Sequence, residues 1–199
     1  RSLAATNFTE AERWFLAALA TQDETVTTRA LFNLGHTRFA DGLAILKKGP
    51  DAAQVSAQGR DALADGERAL RSGSAAMADT QLDKLIAAYF AGRGARQNLR
   101  AAEKAVKAAL ETHGKTLARW QRAADDFKSA SELNPADTNA AQNAKTVQRC
   151  IAALVDQMQQ WQQMLEKMAM RFVPQQPLRM RQSSQPSLSY RQLSDLSRR

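Results

Sequence analysis

The chain has 199 residues, a net charge of +8, and a composition that is 44% hydrophobic but only 6% aromatic, with a single cysteine. That is enough apolar material to bury a sizeable core in one or two domains, and too little cysteine for an intrachain disulfide framework or a cysteine-based metal site. No run of eighteen apolar residues occurs to span a membrane, and Arg1-Ser2 has none of the apolar core of a signal peptide. Helical patterning starts almost at once, with Phe8, Ala11, Phe15 and Ala18 on one face of a helix over 7–20. An abrupt start of this kind is expected of a segment from a longer natural chain, whose address signals would lie upstream.

A second helix is expected over 25–41, through Leu31-Phe32-Asn33-Leu34-Gly35 and Phe39 to Gly42. Gly49-Pro50-Asp51 is a break and a helix start, and Ala52 to Leu70 reads as the helix it begins. Gly73-Ser74 reads as another break, with Ser74 capping a helix whose stripe of Leu82, Leu85, Ile86, Tyr89 and Phe90 belongs in a core. Gly92-Arg93-Gly94 reads as a turn, Leu99 to Thr112 as a helix, and His113-Gly114 as its end. Ala123, Phe127 and Ala130 then lie on one face of a helix over 116–134 that Pro135 stops. From Asp137 a long helix steps through Val147, Ile151, Leu154, Met158, Trp161, Leu165 and Met168, with a glutamine-rich opposite face. After Met170 the composition turns to Pro, Ser, Gln and Arg, and residues 171–199 read as a basic tail with a charge of +5.

No sustained strand alternation interrupts this pattern, so the chain is expected to be all-α. Two half-motifs refine that. Leu-Gly followed by an aromatic at Phe39 lets a neighbouring helix approach closely, and the small-aromatic-small set Ala123, Phe127, Ala130 answers it. On these residues, and on Phe8 to Ala18, the chain resembles the tetratricopeptide repeat family. It is most similar there to tetratricopeptide proteins of bacterial Bat (aerotolerance) operons. The resemblance implies antiparallel helix hairpins in a short α-solenoid over residues 1–170, closed by a long C-terminal capping helix. Residues 43–115 stand out as a helical insertion or as divergent repeats. If they fold out of one opened repeat, residues 31–39 must touch residues 120–130.

Chemistry is sparse. His36 and His113 sit in no metal-ligand or nucleophile-base arrangement, Gly92-Arg93-Gly94 lacks the strand and spacing of a phosphate loop, and Asp125-Asp126 reads as a solvated helix face. Neither enzyme activity nor a cofactor or metal is expected. The resemblance implies an interaction scaffold that holds a protein or peptide partner, with Asn33, His36 and Arg38 on the binding face and a compartment at the bacterial periplasm or cell envelope. In the tail, Arg179, Arg181, Tyr190 and Arg191 are candidate partner contacts. A second class, nucleic-acid or other polyanion binding, rests on the net charge and on Arg93, Arg96, Arg100, Lys104 and Lys107, without the aromatic interleaving that base stacking needs.

Overall fold

A computed structural model describes residues 7–21, 23–79 and 81–172, with side chains as far as Met170. These residues form five α-helices and no strand: α1 (Phe8–Ala18), α2 (Glu24–Lys48), α3 (Ala52–Ala78), α4 (Leu82–Leu133) and α5 (Thr138–Phe172). The all-α expectation holds. Four of the five helices begin on side-chain caps, at Asn7, Asp23, Asp51 and Asp137. Asn7 Oδ1 accepts from Glu10 N at 3.2 Å, Asp23 Oδ1 from Thr25 N at 2.8 Å, and Asp51 Oδ1 from Gln54 N at 2.7 Å, each satisfying an amide that the first turn leaves unpaired.

Between α2 and α3 the chain is broken where expected. Gly49 takes an extended conformation, and Pro50 has no N–H to continue the ladder. The two helices nevertheless follow one another along the same partner. A Cβ on Gly35 would stand 2.8 Å from the Phe127 ring, one on Gly42 would meet Trp120, and one on Gly49 would meet Thr112. Each step forward in α2 is thus a step back in α4. The series continues with Val55 beside Val106 and Ala109, Ala62 beside Leu99 and Ala102, and Asn98 Nδ2 donating to Asp65 Oδ2 at 3.0 Å. The α2–α3 line and α4 therefore form one long antiparallel hairpin.

At 52 residues, α4 is about 78 Å long at 1.5 Å per residue. Three expected breaks lie inside helices instead. Gly73 and Ser74 belong to α3, where Ser74 Oγ donates back to the Leu70 carbonyl at 3.0 Å and caps nothing. Gly92-Arg93-Gly94 and His113-Gly114 both belong to α4. An interior glycine weakens a helix by only about 1 kcal/mol, so buried neighbours such as Ala95, Leu99, Ala109 and Thr116 carry the helix across it.

The contacts that an opened repeat requires are present. Phe32 meets Phe127 edge-on at 5.6 Å, Phe39 stacks on Trp120 at 5.2 Å, and Trp120 Nε1 donates to the Phe39 carbonyl at 3.2 Å. The long C-terminal helix also lies as expected, with Val147, Leu154, Trp161 and Met168 buried against α4 and α3. Trp161 Nε1 donates to Ser56 Oγ at 2.9 Å, and Cys150 packs beside the Phe127 cluster as a small, part-buried apolar residue.

The stripe at the start of α4 does not join the core. Only Ala88 is buried there, while Tyr89 and Phe90 are each 60% exposed and Leu82 is 69% exposed. Met170 on α5 lies opposite Gly92 and Arg96, and among the described residues no third helix packs on the hairpin of α3 and α4 beyond that level.

Candidate partner-binding groove

At the other end of the bundle, the N-terminal half of α2, the end of α4 and the start of α5 enclose a groove of about 580 Å³. Its walls come from Phe32, Ala130, Leu133 and Ala140; its rim carries Glu24, Thr28, Arg29, Asn33, Asn134 and Asp137. Sequence explains the opening. Pro135 follows the end of α4 at Asn134, and Asp137 restarts the chain by accepting from Asn139 N at 3.0 Å, so the helix pair parts where α2 begins. An apolar floor under a mixed polar rim suits a peptide side chain or a short helical segment.

Asn33, one of the candidate binding residues, lies on this rim. His36 sits one turn further along α2, exposed at its outer edge, with its ring against Phe32 at 4.7 Å and Phe127 at 5.0 Å. Loss of water on that inner side holds its pKa below the ordinary histidine value. The neutral ring can then accept from Asn143 Nδ2, 3.4 Å from its Nε2.

Arg38 is a correction. Five residues beyond Asn33, it points to the opposite side of α2, where its side chain is 13% exposed. Its Nε donates to Glu12 Oε1 at 2.9 Å, and its Nη1 reaches both oxygens of Asp126 at 2.8 Å. Arg119 joins the group through Glu12 Oε2 at 3.0 Å and Asp41 Oδ2 at 2.7 Å. The guanidinium therefore ties α1 and α4 to α2 and adds no charge to the groove. Asp126, read as solvated, is buried in the same group. Burial pushes its pKa up to about 6 against the opposing pull of Arg38. Burial also acts to raise Glu12, but the Arg38 hydrogen bond and the charges of Arg119 and Arg38 outweigh it and hold Glu12 below its ordinary value.

His113 is a buried mid-helix residue with its ring 4.6 Å from that of Trp161 and an unpartnered Nδ1. Burial lowers its pKa, partly countered by the Ala109 backbone. Among the described residues no group of three or more His, Cys, Asp and Glu side chains could hold a metal ion, and no helix is long and apolar enough to cross a membrane. Arg179, Arg181, Tyr190 and Arg191 lie outside the described residues. The groove was only partly legible in sequence: Asn33 was singled out, whereas Thr28, Leu133 and Asp137 come together only through the α4–α5 corner. No family model, curated protein or solved structure matches the chain.

Proposed function

We propose that the chain is a non-enzymatic interaction scaffold of tetratricopeptide-like build, which holds a segment of a partner protein in the groove between α2 and the α4–α5 corner. The observation that carries this reading is the groove itself, with apolar Phe32 and Leu133 beneath the polar rim of Thr28, Arg29 and Asn33. The half-motif contacts between Gly35 and Phe127, and between Phe39 and Trp120, support an opened repeat. Resemblance to the Bat-operon proteins extends the proposal to a complex at a bacterial cell envelope. Polyanion binding is the second reading, supported by Arg93, Arg96, Arg100, Lys104 and Lys107, which are all exposed on α4.

Random 15-residue peptides displayed on phage and selected against the wild-type chain test the first reading. Thr28→Trp fills the groove from its half-buried position on the rim. Selected peptides are expected to lose at least about tenfold in affinity for that variant while its circular dichroism stays unchanged. Peptides that bind wild type and Thr28→Trp equally would refute the groove as the binding surface.

A further inference from the structure

The far end of the α3–α4 hairpin carries a concentration of bare apolar side chains. Leu82, Leu85, Ile86, Tyr89 and Phe90 on α4 are exposed, as are Leu70 and Met77 on α3 and Met170 on α5, with Met77 at 84%. A patch of this kind marks an interaction surface. Scattered exposure does not account for it, because most of the large exposed hydrophobics among the described residues lie at this one end.

The patch is continuous with charge. Leu82, Ile86 and Tyr89 step by four and three along α4, and Arg93, Arg96, Arg100, Lys104 and Lys107 continue with steps of three and four on the same exposed side. One helix face therefore changes from apolar and aromatic to basic over about 38 Å. Arg93 stands about 6 Å along the axis from Tyr89, within the Debye length of about 8 Å at physiological salt, and Arg96 about 10 Å away.

We infer that this tip docks on an anionic lipid surface, with the apolar side chains in the acyl boundary and the arginines among the headgroup phosphates. Charge complementarity selects this occupant. Residues 70–96 carry Arg71, Lys84, Arg93 and Arg96 against Asp79 and Asp83, so a second copy laid tip to tip would meet like charge. Shape selects it as well. A single partner helix would fill the groove lined by Leu70, Met77, Tyr89 and Met170, but Ile86 and Phe90 lie further round α4, outside that groove. A fluid interface covers a convex end on several sides at once, and aromatic side chains favour the headgroup level. No helix among the described residues is long and apolar enough to cross the bilayer.

Flotation of the full chain with vesicles of phosphatidylcholine and phosphatidylserine at 7:3, beside phosphatidylcholine alone, tests this directly. Binding is expected only to the anionic vesicles and is expected to weaken as salt rises. Replacing Arg93, Arg96 and Arg100 together by Gln should lower the partition coefficient by about 100-fold, roughly fivefold for each cation. Ile86→Asp and Phe90→Asp, at exposed positions that leave the fold intact, should each lower it at least about tenfold. Absence of flotation with the anionic vesicles would overturn the inference, as would flotation that Ile86→Asp and Phe90→Asp leave unchanged. Analytical ultracentrifugation supplies the other arm: a dimer that Phe90→Asp dissociates, without vesicle binding, would assign the face to a second copy and equally overturn it.

Discussion

Replacing Arg38 by Met is expected to lower the free energy of unfolding by about 3–5 kcal/mol, because it leaves buried carboxylates without their cation. Asp126 would lose both of its 2.8 Å contacts, and Glu12 would keep only the more exposed Arg119. The loss is expected to depend on pH. Asp126 has a folded pKa of about 6, above its ordinary 3.8, so proton uptake favours the folded state. Its contribution to stability is fully present below 3.8 and is lost as pH rises through about 6. Without Arg38 that pKa rises further, so the defect is larger at pH 8 than at pH 5. Glu12 acts in the opposite sense: its folded pKa lies below 4.5, so its contribution is present above that value and is lost in acid. Urea unfolding followed by circular dichroism at the two pH values measures both effects. A cost below about 1 kcal/mol at both would mean that the ion-pair group does not bind α1 and α4 to α2.

The second large effect falls on Phe127. This ring is 1% exposed, meets Phe32 and His36 edge-on, and occupies the space that the missing Gly35 side chain leaves. Phe127→Ala is expected to cost about 3–5 kcal/mol through lost burial and the cavity left among Trp120, Val147 and Leu154. Phe90→Ala, the same change on the same helix, is expected to shift stability by less than about 0.5 kcal/mol, because that ring faces solvent. Thermal or urea denaturation of the two variants side by side separates them. Equal losses would place Phe90 in a core and remove the bare tip.

These two phenylalanines show what could be read from sequence. Phe127 was legible because its partner is written into the chain: Gly35 and the flanking Ala123 and Ala130 admit a neighbouring helix, and small-large complementarity is a local pattern. The break and helix start at Gly49-Pro50-Asp51 are legible for the same reason. Phe90 was not, because periodicity reports that a helix has an apolar face and is silent on whether anything covers it. Here nothing among the described residues does. Arg38 failed in the opposite way. On a single helix it looks like a surface charge, and only the return of α1 and α4 across that side buries it. Ser74 and the glycines at 73, 92, 94 and 114 carry the local signal of a break, and α3 and α4 run through them. Their local preference is worth about 1 kcal/mol each, and packing on either side of them exceeds it.

Groove and tip both depend on α4 being one unbroken rod that holds them at opposite ends of the molecule. Pulsed electron-electron double resonance between spin labels at Ala87 and Lys128, with Cys150 replaced by Ser, measures that rod across both Gly92-Arg93-Gly94 and His113-Gly114. Both labelled positions are exposed, and 41 helical residues separate them by about 62 Å. A single narrow distance distribution near 60 Å is the expected result. A distribution centred below about 50 Å would show that the helix folds back at one of those glycines, and the elongated bundle with its two distinct surfaces would be wrong.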